Sequence, residues 1–495
     1  MVVSISGNIG LTESPRQSGT ATFEMVRERA RSLAEKEFQP PAAKLPDFLN
    51  RLTYAEYQQI HYRLNKALWH AESSRVQVQF FHPGYLFREP VKVNIVEGGD
   101  IREFPFSPDQ FDYGNLKLSE PVPPDLFFTG VCMLYPLNHP GREDEAAVFL
   151  GSSFFRLLGA RQAFGASARG LAIDTGEPGG EEFPRFTDFW IEKPGVAANS
   201  LRLCALLESR RVCGAYEFVI TPGEETVAEV RATLFFREPV TKVGLAALTS
   251  MFLYGENRTA YFPDFRGEVH DSDGLLLRAA DQRWLWRPLV NPPKVHRLSD
   301  FPLASGFGLM QRDRDFDHYQ DLGAKFETRP SLWVTPREGW PAGKVQLVEI
   351  PSPEEKNDNM VVYWVPDQKM AKGQELSFQY TLRACSSQLP GEPETLWRVK
   401  QTFVEPREKG RVRYLVDFTD GPRAKPGEPA LTPQVELTPG KAENVVLMPN
   451  EPAGGWRAFF DWAPDGKEPG EARLWLRDGN RVASEVWVYR PPKPN

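Results

Sequence analysis

Short runs in which apolar and polar residues alternate recur along most of the chain. They include VQVQFFH (76–82), VKVNIV (91–96), LRLCALL (201–207), AYEFVIT (215–221) and VAEVRATLFF (227–236). A period of two places the apolar residues on one side of a pleated strand. Turns bearing Gly or Pro, such as PGE at 222–224, join most of these runs, as in antiparallel sheets rather than βαβ units. The same style continues through VQLVEIP (345–351), MVVYWVP (360–366) and LSFQYTLRA (376–384). One segment departs from it: FEMVRERARSLAEKEF (23–38) spaces Met25, Val26, Ala30, Leu33 and Ala34 by threes and fours and is closed by Pro40 and Pro41. That spacing predicts a helix capping a sheet, and a second, short helix is predicted over 54–64. Residues 1–22 are polar and mixed, with no charged stretch leading into an apolar one, so they read as a disordered or processed segment without a legible export signal.

With 495 residues the chain exceeds the usual single domain. The polar stretch CSSQLPGEPET (385–395) reads as a linker, assigned to 385–396, and divides a large unit, 23–384, from a small one, 397–495. The small unit carries RYLVDFTD, PQVELTPG, ENVVLMPN, GWRAFFDWAP, EARLWLRDG and ASEVWVYR at near-regular spacing, an immunoglobulin-like signature. The expected fold class is therefore mainly β, a large sandwich followed by a small one.

Composition narrows the function. The net charge of −7, without Lys/Arg clusters interleaved with aromatics, excludes a phosphate-backbone footprint and hence a nucleic-acid partner. The most apolar stretch, 244–255, is too short for the roughly 20 residues of a membrane-spanning helix. Cys132, Cys204, Cys213 and Cys385 show no CxxC spacing and no nearby His, so neither zinc nor a redox dithiol is expected, and no cofactor is expected. Cys204 and Cys213 flank a predicted hairpin. A turn at Glu208 and Ser209 would bring them together as a disulfide, whereas a longer turn would leave two buried thiols.

Candidate chemistry gathers between 151 and 364, where carboxylates and arginines stand beside aromatic rings in SARGLAIDTGEPGGEEFPRFTDFWIE (167–192), DFRGEVHDSDG (264–274), WLWRPL (284–289) and GFGLMQRDRDFDHYQDL (306–322). Carbohydrate clefts need that mixture: rings stack on sugar C–H faces, arginines and carboxylates bond hydroxyls, and a carboxyl pair performs glycosidic acid/base work. Asp358 lies in the polar turn KNDN (356–359), just before an apolar strand, where partial desolvation would suit a proton donor; an ordinary Asn/Asp turn is the alternative. Asp271 and Asp273 flank a turn whose D-x-D-G fragment lacks the remaining ligands of a calcium loop.

These segments, together with SFFRLLGARQAFGASARGLAIDTGEPGGEEFPRF (152–186, less its first Ser), LTSMFLYG (248–255), RPSLWV (329–334) and VQLVEIPSPEEKNDNMVVYW (345–364), resemble the osmoregulated periplasmic glucan biosynthesis proteins G and D of Gram-negative bacteria. The resemblance implies a galactose-mutarotase-like sandwich joined to an immunoglobulin-like one. It also implies a periplasmic location after signal processing and inverting action, hydrolytic or transglycosylating, on β-1,2-glucan. It assigns Asp358 as general acid and Asp271 to the base side, whether directly or through a relay. Trp190, Trp284, Trp286, Tyr319 and Tyr363 are then the stacking candidates, and Glu182, Arg287, Arg312, Arg314 and Arg329 the hydroxyl-binding ones. Glu349 would stabilise cationic character at the sugar, or else be a core-edge Glu with an Arg partner. Expected partners are the glucan and an inner-membrane glucan synthase, with a homodimer left open. A non-catalytic scaffold that escorts nascent glucan is the rival reading.

Overall fold

The computed structural model describes residues 16–41, 44–258, 262–301, 305–386, 389, 393, 395–422, 431–463 and 470–492. Two large sheets face each other across an apolar core, so the chain is a β-sandwich protein, as its alternation predicts. The smaller sheet, of ten strands, runs in the order Gln77–Phe80, Gly130–Tyr135, Asp144–Leu150, Phe154–Leu157, Ser167–Arg169, Val243–Ser250, Met360–Pro366, Gly343–Glu349 and His296–Phe301, with Ala172–Ile173 also paired to Val243–Ser250. The other, of 15 strands, begins at Asp100–Glu103 and crosses Leu201–Glu208, Val212–Thr221, Thr226–Phe236 and Glu375–Cys385 near its middle.

The strand Leu201–Glu208 shows why its sequence is nearly continuous in apolar residues. Leu203, Ala205 and Leu207 enter the core between the sheets, while Cys204 and Leu206 enter a second cluster on the opposite face. Both faces are covered, so alternation gives way to an unbroken apolar run. The cover is the helix α1, Arg16–Ala34, which buries Phe23, Val26 and Ala30 against Trp190, Ala215 and Phe235. It starts seven residues before the predicted 23, and Phe23 rather than the exposed Met25 completes its apolar stripe. The helix expected over 54–64 is only the single turn Tyr54–Tyr57, followed by strand His61–Tyr62. Residues 1–15 of the expected N-terminal segment lie outside the described residues.

The strands after 397 divide between two sheets. Arg398–Pro406, Val412–Thr419, Glu443–Asn450 and Gly455–Trp462 form a four-stranded sheet, whereas Thr432–Thr438, Glu471–Asp478 and Val486–Tyr489 extend the 15-stranded sheet. The joint is a parallel pairing of Trp284–Pro288 with Val486–Tyr489. The polar stretch read as a linker is only partly among the described residues, and its Leu389 is buried in the core between these sheets. That core also takes Trp284, Trp286 and Trp333 from the large sandwich.

The hairpin holding Cys204 and Cys213 turns at Arg210 and Arg211, two residues later than the disulfide geometry needs. Ser209 N–H donates to the Val212 carbonyl at 2.8 Å, and the register pairs Cys204 with Glu217 and Glu208 with Cys213. Both cysteines are separate buried thiols. Alkylation under denaturing, non-reducing conditions should therefore modify both, and peptide mass mapping of a linked 204–213 pair would refute the register.

Candidate active site

The strand Val243–Ser250 lies between Ser167–Arg169 and Met360–Pro366, and the candidate site is built where it leaves the smaller sheet. Ser250 still pairs with Met360. Two residues later the chain changes partners: Phe252 pairs with His270 of the short strand Val269–His270. Two turns are therefore gathered at one point of backbone. The Asp271 N–H donates to the Met251 carbonyl at 2.8 Å. The buried Asn359 amide accepts from Phe252 N–H through Oδ1 at 2.9 Å and donates back to the Phe252 carbonyl from Nδ2 at 2.9 Å. Nδ2 also reaches the Ile350 carbonyl at 3.1 Å, closing the loop that carries Asp358. Ser250 and Ser272 share a further hydroxyl contact at 2.8 Å. An Asn at 359 is thus a backbone substitute that ties the Asp358 turn to the strand end.

Asp358 is half-buried. Loss of hydration raises its pKa, against the opposing fields of Arg156, Arg169 and Arg329. Arg156 and Arg169 rise from neighbouring strands on one face of the sheet. Arg156 Nε donates to Ser167 Oγ, and Arg169 Nε to Thr249 Oγ1, each at 2.8 Å. Arg169 also holds Glu181 at 2.5 Å and lies over the Phe154 ring. Arg329 pairs with Asp271. Its guanidinium covers Phe326, and its Nε and Nη2 donate to the Ala324 carbonyl. Burial and the nearby Arg156 lower its pKa to about 10, so it remains a cation at neutral pH. One guanidinium thus pairs with the first candidate carboxylate while contributing to the field at the second.

The other sequence candidates have different places. Arg314 Nη1 donates to the carbonyls of Glu327 and Arg329, at 2.9 and 2.5 Å, and so fixes the backbone that presents Arg329. Arg312 Nη1 and Nη2 reach Glu485 at 2.8 and 2.6 Å, and the guanidinium lies 3.8 Å from the Trp286 ring centroid. Glu182 accepts from Arg211, on the hairpin turn. Glu349, fully buried, accepts from Arg287 Nη2 and Val290 N–H and meets His296 Nδ1, the core-edge arrangement. Trp190 packs beneath α1, Trp284 and Trp286 fill the junction with the C-terminal strands, and Tyr319 and Tyr363 are enclosed with their hydroxyls bonded to Asp313 O and Gln346 Oε1. All five rings are at least 95% buried, and a ring covered on both faces presents none to a sugar. The expected stacking role is corrected on that ground: apolar burial, not sugar contact, accounts for these aromatics.

Arg156, Arg169, Arg266 and Asn359 were not singled out by the sequence reading. A usable signal existed for the first two, since an arginine in the middle of an apolar strand must find a partner or a cleft. Next to Asp271 lies a denser polar group. His270 Nε2 meets Glu268 at 2.8 Å, its Nδ1 meets Gln311 at 3.1 Å, and the Asp273 carboxylate accepts from the N–H groups of Arg312 and Asp313. Glu268, Asp313 and His318 have ligand atoms within 4.8 Å of one another, a spacing that would accept a metal ion, but His318 is engaged with Asp313 and Glu268 with His270.

Two outcomes follow from these charges. Removing the cation in Arg329→Met should raise the Asp358 pKa further, read as an upward shift of its carboxyl titration; no shift would place Arg329 outside its field. The second concerns stability. Burial lowers the His270 pKa, yet Glu268 and Asp273 more than offset this and leave it raised to about 9, while burial and Glu268 push Glu256 up to about 8. In both cases the folded chain retains a proton that the unfolded chain releases at lower pH. The stabilisation is therefore complete at low pH and is lost as pH rises through these values. The urea midpoint should be higher at pH 6 than at pH 9, and a flat or rising profile would contradict it.

Residues 22–491 match the family model described as periplasmic glucan biosynthesis protein, MdoG. The chain is also 43% identical over 484 residues to glucans biosynthesis protein G of Ralstonia nicotianae, covering 94% of this chain and 95% of that one. The chain belongs to the MdoG family of periplasmic glucan biosynthesis proteins.

Proposed function

We propose that this protein acts in the periplasm on β-1,2-glucan as an inverting enzyme, with Asp358 as general acid and Asp271 on the base side. The observation that carries the reading is the pair itself: two carboxyl groups held through adjacent residues, Met251 and Phe252, with Arg329 shared between them. Burial favours the protonated form of Asp358, as donation to a departing glycosidic oxygen requires. In the proposed step the anomeric C–O bond breaks and the Asp358 proton passes to the leaving oxygen. A water or a sugar hydroxyl attacks the anomeric carbon from the opposite face and gives its proton to Asp271, directly or through a relay. Water as acceptor makes the step a hydrolysis; a hydroxyl of the same or another chain makes it a transglycosylation. Arg156, the exposed one of the two strand arginines, supplies donors for sugar hydroxyls.

The test is incubation of wild-type and Asp358→Asn protein with linear β-1,2-glucan, following reducing ends and product masses. Wild type should yield shorter chains, or products lighter by one water if a ring closes. Asp358→Asn should lose at least roughly 10²-fold in rate while still retarding in glucan-containing gels. Glucan left intact by folded wild type would favour a non-catalytic scaffold.

A further inference from the structure

Arg266 joins three separate stretches of chain. Its side chain meets Asp264 at 2.8 Å, Asp321 at 2.9 Å and Glu355 at 2.7 Å. Asp264 also accepts from the Arg266 backbone N–H at 3.0 Å, and Asp321 accepts from the N–H groups of Gly323 and Ala324. Each of these loops is thereby fixed by charge-assisted bonds. Two of them carry a large apolar side chain beside the anchor, turned outward: Phe265 and Leu322 are each 80% exposed. A single exposed apolar residue is ordinary. Two on loops joined by one guanidinium, in a chain that buries most of its aromatic rings, call for a ligand.

The clamp is also part of the candidate site. Glu355, its third arm, lies three residues before Asp358 in the same loop. The Leu322 loop continues into Ala324, whose carbonyl accepts from Arg329, the partner of Asp271. The Phe265 loop is seated against the same region: Glu268 N–H donates to the His318 carbonyl, and a Cβ at Gly267 would stand only 2.7 Å from that oxygen, so glycine permits the close approach. The exposed ring is thus held on an ordered loop tied to the loops of the site, next to the Asp264 carboxylate.

We infer that Phe265, with Leu322 beside the same clamp, is a carbohydrate platform on which a pyranose ring of the glucan rests, away from the bond being broken. This rests on the reading of the Asp358 site as a glucan site and adds a binding position to it. An exposed flat ring between a fixed carboxylate and a fixed guanidinium suits a sugar, whose C–H face is apolar and whose edge carries hydroxyls. The position lies outside the acid/base machinery, so it governs affinity for extended chains rather than the rate of the chemical step.

Binding of a long linear β-1,2-glucan and of a short β-1,2-oligosaccharide is measured by calorimetry on wild type, Phe265→Ala and Phe265→Trp, each paired with a thermal midpoint and sedimentation velocity. Phe265→Ala should raise the Kd for the long chain by roughly three- to tenfold, leave the short oligosaccharide and the midpoint unchanged, and raise KM with kcat retained. Phe265→Trp should restore the affinity. Wild-type affinity in Phe265→Ala overturns the platform while the glucan site stands, whereas failure of folded wild type to bind either glucan overturns both. Weaker binding accompanied by a lower midpoint and not rescued by Trp assigns the ring to the fold and overturns the proposal. Unchanged glucan affinity with an altered sedimentation coefficient replaces the sugar with a second copy of the chain.

Discussion

The candidate site depends on the backbone at Met251 and Phe252, where a strand central to the smaller sheet ends and its continuation pairs elsewhere. A strand that changes partners leaves N–H and C=O groups that must be satisfied. Here the Asp271 N–H takes the Met251 carbonyl, and the Asn359 side chain takes both groups of Phe252. Satisfying the backbone and positioning the carboxylates are therefore one event. Asp271 is placed by its own backbone and Asp358 by its neighbour Asn359, and the Asp271 carboxylate additionally pairs with Arg329. The Phe252 and His270 rings, stacked at 5.3 Å, stiffen the same junction through packing.

Charge completes what the backbone begins. Three guanidiniums around Asp358 would ordinarily favour its ionised form, and burial of the group works against them. Much of the capacity of those cations is spent elsewhere: Arg169 on Glu181 and Arg329 on Asp271. At Asp358 desolvation outweighs the three cations, and the carboxyl is raised.

The strands were legible because alternation is a local property: 201–207, 227–236 and 376–384 appear within a residue or so of their observed bounds. The helix was legible in kind, while its polar first turns lacked the periodicity that would have marked its start at Arg16. Asp358, Asp271 and Arg329 were reached through motif resemblance, and the structure brings them together. The aromatics were misjudged because sequence shows an aromatic-rich segment without showing which sheet will cover it. Trp286 and Tyr363 have the composition of a sugar platform and the burial of a core. Asn359 and Arg266 act through backbone contacts and ion pairs with residues far away in sequence, which no local pattern reveals.

The C-terminal strands bear on the site through the same kind of contact. The Asp273 carboxylate, two residues beyond Asp271, accepts from the backbone N–H of Arg312, whose side chain lies on Trp286 and grips Glu485. Glu485 in turn accepts from Val399 N–H, and Thr402 N–H donates to Glu256, beside the His270 cluster. Because Val486–Tyr489 also continues the 15-stranded sheet, these contacts close a loop of covalent chain, sheet and ion pair around the segment 268–273. A module appended for partner binding alone would have no need of buried ion pairs reaching the turn that bears Asp271. The strands after 397 are thus tied by these contacts to the turn that bears Asp271, while the smaller sheet carries the Asp358 turn.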